Sequence, residues 1–246
     1  MTPNEELKEL FESRGVSYTV TDYGNIAKST EVSISDAIDD HVIVMDADTW
    51  FVPGSIRKLR ESLQTSIIAK PRIEFLTDNW MSKVIASKRR PFYDRPDYPA
   101  NPGIAIRKSE VKPLVGGYIF NPNVRWTEDA DLNYRLKNAG VPVSYIPDAI
   151  LFHDTINLDH ELRTAFYYGI GKRLSVEQNP NRPSTEDLPK AAIDFIKEFH
   201  PQNLADSVSQ IGKAATVLQL AWRVIYLSGY NAQKISGRWT VFDNEM

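Results

Sequence analysis

Residues 41–45, His-Val-Ile-Val-Met, form a short apolar run that stops at Asp46-Ala47-Asp48. A run this short and this continuous suits a strand covered on both faces, as in a parallel sheet. In open α/β sheets, ligands bind outside the C-terminal ends of such strands. The run therefore constrains the fold and marks one edge of it as chemically interesting. The flanking sequence carries a matching rhythm. Residues 5–13 set Leu7, Leu10 and Phe11 on one helical face, with Gly15 as the stop. Residues 16–21 read as a β-branched, aromatic strand and residues 26–38 as a helix. Pro53-Gly54 opens a helix through Leu63, with Ile56, Leu59 and Leu63 as its inner stripe, and residues 67–69 follow as a strand. This alternation predicts an α/β fold with a mostly parallel central sheet flanked by helices.

Further on, residues 81–87 read as helical. Lys88-Arg89-Arg90-Pro91 and the prolines before Gly103 read as an irregular loop. Residues 103–107 suggest a strand, and 109–114 a turn or short helix. Residues 127–138 give a stronger signal. Thr127 suits an N-cap, three acids fill the first turn, Leu132 and Leu136 are spaced i, i+4, and Gly140 is the stop. Two strand-like pieces, 141–145 and 149–152, surround Pro147. The proline-rich segment 178–189 reads as a linker, followed by helices at about 189–199 and 204–227. This gives a main domain over 1–177 and a linker with a helical C-terminal region over 178–246.

Composition narrows the function classes. A formal net charge of −3 over 246 residues gives no support for a nucleic-acid partner, which would show as a basic excess. With no cysteine, a disulfide scaffold and a zinc-thiolate site are excluded, and a reducing compartment fits. The opening residues read as an acidic helix rather than a signal peptide, and no stretch has the apolar length of a spanning helix. The expectation is a cytoplasmic protein, with peripheral contact at the cytoplasmic membrane face left open.

Three features carry candidate chemistry. Asp46 and Asp48 at a strand end can present two carboxylates to a hard divalent cation such as Mg²⁺ or Mn²⁺, which would bridge them to a diphosphate. Aspartates also serve there as turn residues or caps. Asp129, in the first turn of the 127–138 helix, is a candidate general base for an acceptor hydroxyl, with Glu128 binding the acceptor or holding the base. Acids at that place also stabilise a helix N-terminus through its dipole. Asp131 faces elsewhere and reads as structural. His153, after Ile150-Leu151-Phe152, could complete a metal site begun by Asp48. Gly169-Ile170-Gly171-Lys172 lacks the spacing of a phosphate-cradling Walker loop.

The order of these features resembles the GT-A fold of family 2 glycosyltransferases. The matching blocks are HVIVMDADTWFVPGSIRKL and GGYIFNPNVRWTEDADLNYRLKNAGVPVSYIPDAILFHD, where Glu128-Asp129, Asp131-Leu132, Arg135-Leu136, Gly140, Pro147, Ala149 and His153 fall in the family's order. The resemblance covers roughly residues 16–175. It implies an inverting transferase that moves a sugar from a nucleotide-diphosphate sugar to an acceptor hydroxyl. Asp46, Asp48 and His153 would lie at the metal and diphosphate, and Asp129 would be the base. Arg163, Lys172 and Arg173 would help neutralise the leaving diphosphate, or else form a solvated basic face. A glycan or lipid-linked acceptor is the implied partner.

The chain departs from the family at its start, where the usual strand-helix-strand unit that holds the nucleoside has no counterpart in MTPNEELKELFESRG. Asp22 is a weak stand-in for a base or ribose contact. The departure leaves an alternative, a non-catalytic glycosyltransferase-like module or subunit with an incomplete nucleotide pocket. A nucleotidyltransferase would need a glycine-rich, basic loop near its start, and none is visible. In the C-terminal helix, Trp222, Tyr226 and Tyr230 either pack on the main domain or sit at a lipid boundary, with Lys213 and Arg223 reaching headgroups.

Overall fold

Strand β1 (His41–Ile43) does form from the apolar run, at one edge of a five-stranded sheet. The computed structural model describes residues 5–20, 24–179, 181–182, 196–197 and 199–236. The other strands are β2 (Thr49–Phe51), β3 (Ile68–Phe75), β4 (Ala105–Arg107) and β5 (Ser144–His153), in the order β1-β4-β3-β5-β2. The α/β class is as expected, but the sheet is mixed rather than mostly parallel. Only β3 and β5 pair parallel; β1 with β4, β3 with β4 and β2 with β5 are antiparallel. Two antiparallel steps restore direction, so β1, β3 and β5 all run the same way. Their carboxyl ends share one rim of the sheet.

β1 packs on both faces, with Ile43 half-buried against the Leu59, Leu63, Ala69, Ala105 and Ala149 cluster. Val42 and Val44 are buried, whereas His41 and Met45 are exposed. Ile43 faces the opposite side from Val42 and Val44, and that side is covered only at its middle, since His41 and Met45 flank Ile43 in solvent. The core lies beneath, where Val42, Val44, Ile104 and Ile106 meet Phe120, Leu132 and Leu136. Each fully buried side chain of this size contributes roughly 1.5–3 kcal/mol.

The helices follow the sequence with informative exceptions. α1 (Glu5–Ser13) forms as expected but buries no residue, and residues 16–20 after it join no strand. Thr21 and Asp22 lie outside the described residues. α2 (Ile26–Asp36) and α3 (Ser55–Ser62) form where expected. In the α3 region Leu59 and Leu63 are buried, but Ile56 is exposed. α4 (Trp80–Tyr93) runs straight through the basic stretch and Pro91 that had suggested a loop. An Asn79–Ser82 capping box starts it, and Lys88 and Arg89 turn inward to pair with Glu161. Those buried ion pairs hold residues whose composition suggests a solvated loop.

α5 (Lys108–Leu114) and α6 (Glu128–Asn138) come next, then α7 (Leu158–Gln178), α8 (Pro201–Ile211) and α9 (Lys213–Ser236). The single helix expected over 204–227 is broken at Gly212, whose φ of 86° lies in the left-handed region. Most of the 178–189 linker and of the helix expected at 189–199 falls outside the described residues.

α9 packs along α7 at backbone contact. A Cβ on Gly169 would sit 1.9 Å from Tyr226 O, and one on Gly229 would sit 2.0 Å from Phe166 O. Tyr226 and Tyr230 are buried in this interface, so they face protein rather than a lipid boundary. Among the described residues no helix is long and apolar enough to cross a membrane. Because the clash partner is backbone, Gly169→Ala must push the helices apart. Its expected cost is at or above the roughly 1–3 kcal/mol of core overpacking, read as a lowered urea midpoint.

Candidate active site

The shared rim of β1, β3 and β5 brings the first constellation together. β2 pairs with β5 in a register that sets Thr49 opposite His153, and Asp154 N–H donates to Asp48 O at 2.9 Å. Asp48 is thereby fixed beside the histidine. His153 Nε2 lies 3.9 Å from Asp48 Oδ2, too far for a hydrogen bond. Its Nδ1 lies 2.9 Å from Asp154 O. If Nδ1–H donates there, the Nε2 lone pair is left facing Asp48. The Phe75 ring, 5.4 Å away, backs the imidazole. Asp46 is half-buried, and its carboxyl is pushed above the ordinary range by burial and by the charge of Asp48, with His153 opposing.

These residues can be tested against a divalent cation. Among the described residues no three His, Asp or Glu side chains gather into a ready-made cage. Mg²⁺ is seldom held that way. It takes one or two protein ligands and completes its shell with water and substrate phosphates. Two ligands about 2.1 Å from one ion stand roughly 3–4.2 Å apart, and the Asp48–His153 separation of 3.9 Å falls in that window. The pair fits such an ion.

The second constellation sits at the start of α6. Burial raises both carboxyls above the ordinary range, and Asp46 is close enough for its charge to add to both. The two differ in their hydrogen bonds. Asp129 Oδ1 accepts from Ala130 N–H at 2.6 Å, and the neighbouring Tyr98 phenol also favours its ionised form. Glu128 Oε2 is buried with no protein hydrogen-bond partner among the described residues. Hydrogen bonds to the charged form favour it, so Asp129 holds its charge more readily and Glu128 is the proton holder of the pair.

The chain enters α6 through Trp126, whose φ of 72° is unusual for a residue with a side chain. Trp126 is stacked on Tyr167 at 5.0 Å. The N-cap is not as expected, because Thr127 makes no side-chain cap and its Oγ1 is buried without a protein partner. Gly171 of α7 explains the squeeze, since a Cβ there would lie 1.9 Å from Arg125 O. Asp131, read as structural, is fully buried. It accepts from Arg135 Nε at 2.7 Å, Ser175 Oγ at 2.6 Å and Asn179 Nδ2 at 2.8 Å. Arg135 in turn donates to the carbonyls of Val115, Tyr118 and Ile119.

The basic residues of α7 do not converge. The helix is continuous, so Arg163 and Lys172 stand on opposite faces, about 13 Å apart along the axis. Arg163 pairs with Asp159, and Arg173 pairs with Glu177 at 2.6 Å while its guanidinium lies over the Tyr230 ring. The Arg163 end of α7 follows directly on β5, while Gly171 packs against Arg125 and Thr127 ahead of α6. His160, one turn before Arg163, feels the charges of that residue and of Asp48.

Several site-facing residues carry no sequence signal of function. Tyr98 sits in a proline-rich loop. Tyr93 and Tyr168 are half-buried where the charge of Asp129 reaches them, and desolvation raises both hydroxyls, Tyr93 to about 12. Lys70 is wholly buried within β3. A lysine inside the apolar run Ile67-Ile68-Ala69 and beyond was its one visible mark.

No protein-family model matches the chain, and no curated protein matches it by sequence. Among solved structures, the mannosyltransferase PcManGT from Pyrobaculum calidifontis, in complex with GDP-Man and Mn²⁺, is similar over 95% of this chain and 74% of its own. The TM-score is 0.59 and the identity 12%. The chain has a glycosyltransferase fold. S. aureus TarS 1–349 aligns over 98% of this chain and 81% of its own at a TM-score of 0.46 and 12% identity. Its complex with UDP-GlcNAc aligns over 97% and 81% at 0.49 and 13%. Those two superpositions are too loose to add to the argument. At 12% identity the glycosyltransferase fold of this chain is what the likeness to PcManGT establishes.

Proposed function

We propose that the chain is a metal-dependent, inverting glycosyltransferase of the family 2 type, with a nucleotide-diphosphate sugar as donor and a glycan or lipid-linked hydroxyl as acceptor. One observation carries the reading. On a glycosyltransferase fold, Asp48 lies beside His153, and Asp46, two residues before Asp48, is close enough for its charge to act on both Glu128 and Asp129. Asp48 and His153 would hold Mg²⁺ or Mn²⁺, with Asp46 beside them, and the ion supplies charge neutralisation for the departing diphosphate. Arg163, in the first turns of the helix that follows β5, would be the basic residue to assist.

Asp129 accepts the proton of the acceptor hydroxyl as its oxygen bonds to the anomeric carbon. The bond from that carbon to the diphosphate oxygen breaks on the opposite face, its electron pair leaves with the diphosphate, and the configuration inverts. Glu128, protonated, offers the acceptor a hydrogen bond without adding negative charge.

Asp48→Ala is expected to abolish Mn²⁺-dependent binding of nucleoside diphosphates in calorimetry while leaving the unfolding midpoint unchanged, since Asp48 is exposed. Wild-type binding without Mn²⁺, at equal affinity, would sink the metal assignment. A second reading has its own support. β1 is an edge strand, and among the described residues no strand lies beyond it to carry a nucleoside. A binding module or a subunit completed by another chain follows if the wild type binds neither GDP nor UDP with Mn²⁺.

A further inference from the structure

The sequence after α7 reads as linker, yet its described part is built into the start of α6. Asn179 Nδ2 donates to Asp131 Oδ1 at 2.8 Å and to Ser175 O at 2.7 Å, and Arg182 N–H returns to Asn179 O at 2.8 Å. This turn seats Arg182 in the protein, with 9% of its surface exposed. Its guanidinium donates to Ser175 Oγ and, at 3.3 Å, to Ala130 O, and it lies 5.0 Å from the Tyr134 ring centroid. Ala130 and Tyr134 are one turn apart on the same face of α6. Ala130 is also the residue whose N–H donates to Asp129 Oδ1 at 2.6 Å.

Stability alone does not require this cation. Asp131 already has a close partner in Arg135, whose Nε lies 2.7 Å from Oδ2, and the Arg182 guanidinium stands 4.0 Å from Oδ1. Among the described residues, two guanidiniums share this one buried carboxylate. Burying the second is costly, and an apolar side chain would fill its place at less expense. The Ala130 carbonyl lies at the start of the helix, where N–H groups rather than carbonyls lack intrahelical partners. A cation in that turn also opposes the helix dipole. What Arg182 does favour is a fixed geometry and negative charge on the first-turn acids.

We infer that Arg182 is a positioning residue for Asp129. It clamps the first turn of α6 by the Ala130 carbonyl and, through Ser175, by Asp131, and so holds the Ala130 N–H against the Asp129 carboxylate. Every link is a hydrogen bond: Arg182 to Ala130, Ala130 to Asp129, and Arg182 to Ser175 Oγ, which lies 2.6 Å from Asp131 Oδ1. The inference rests on the proposed function only in naming Asp129 as the base. Around Arg182 stand Asp131, Arg135, Tyr134 and Tyr98. The groups acting on Asp129, or acted on by it, are Glu128, Asp46, Tyr93, Tyr98, Tyr168 and Lys70. Substituting Arg182 removes none of them.

The test reads the Ala130 amide by NMR in the full chain labelled with ¹⁵N-alanine. In the wild type its proton shift should follow the ionisation of Asp129, and that response should vanish in Asp129→Asn, which assigns it. Arg182→Lys keeps the charge but lacks the planar fork that spans Ala130 O and Ser175 Oγ together. Arg182→Met removes both. Each is expected to cut the response by more than half. Asn179→Ala loses a bond to Asp131 but none to Ala130, so it should lower the thermal midpoint and leave the response intact. In a chain that transfers sugar, Arg182→Lys should reduce kcat by about 10²-fold, the effect of a catalytic group displaced by about 1 Å, with donor affinity unchanged. The clamp would be overturned by a wild-type amide that does not respond, by an unchanged response in folded Arg182→Lys, or by an equal loss in Asn179→Ala. Wild-type kcat in Arg182→Lys of an active chain would overturn it too. A diminished response in a chain that transfers no sugar would keep the clamp and discard the base assignment.

Discussion

Asp129→Asn should bind a nucleotide-sugar donor and Mn²⁺ as the wild type does, while transfer falls by about 10²–10⁴-fold, the contribution of a positioned general base. The substitution keeps the volume and the acceptor oxygen that meets Ala130 N–H. It removes only the basic electron pair. Calorimetry on the donor and a coupled assay for released nucleoside diphosphate separate the two effects. Transfer at the wild-type rate would eliminate Asp129 as the base. The pH profile adds a second constraint. Burial raises the carboxyl of Asp129 above the ordinary aspartate range, so the base is ionised only above that raised value. Activity should therefore fall away on the acid side at a pH higher than an exposed aspartate would give. Glu128 is raised as well by burial and by Asp129, and it carries fewer hydrogen bonds to its charged form. Glu128→Gln, which preserves the protonated shape, should be far milder than Asp129→Asn.

Much of this site was readable from residue order, because strand ends and helix starts fix where a side chain emerges. Asp48 and His153 meet because β2, a three-residue strand with no counterpart in the sequence reading, pairs with β5. What could not be read is direction. A five-residue apolar run says that a strand is buried, but not whether its neighbours run parallel. β4 inserts between β1 and β3 and runs against both, a pairing with strands more than thirty positions away. The basic stretch of α4 and the tyrosines after it misled for a different reason. Lys88 and Arg89 look like loop residues until Glu161, more than seventy positions on, provides the partner that lets them be buried. Tyr98 stands out only once the fold brings it near Asp129, on a separate element. Long-range pairing of this kind leaves no local periodicity. The aromatic stripe of α9 illustrates the converse. Its spacing was plain, but which face it turned to depended on Gly169 and Gly229, which let α7 approach at backbone contact.

The Glu161 junction also gives the largest stability effect expected outside the site. Glu161 is fully buried and receives Lys88 Nζ at 2.5 Å and Arg89 Nε at 2.8 Å, while the Lys88 ammonium sits 4.0 Å from the Trp222 ring centroid on α9. One carboxylate thus joins α4, α7 and, through the cation, α9. Glu161→Gln keeps the shape and strands two buried cations, which should destabilise the fold by about 3–5 kcal/mol at pH 7 in urea unfolding. The deficit should shrink in alkali. Burial lowers the Lys88 pKa to about 8 from an ordinary 10.5, and Glu161 opposes that fall. Between those two values the unfolded chain binds a proton that the folded one has released, so wild-type stability rises with pH across that window. Without Glu161 the folded pKa drops further, the rise starts at lower pH, and the variant recovers part of its loss by pH 9.5. Lys88→Met in the Glu161→Gln background removes one stranded charge outright and should restore stability at pH 7 as well. If that double variant were no more stable than Glu161→Gln alone, the cost would lie in lost packing rather than in uncompensated charge.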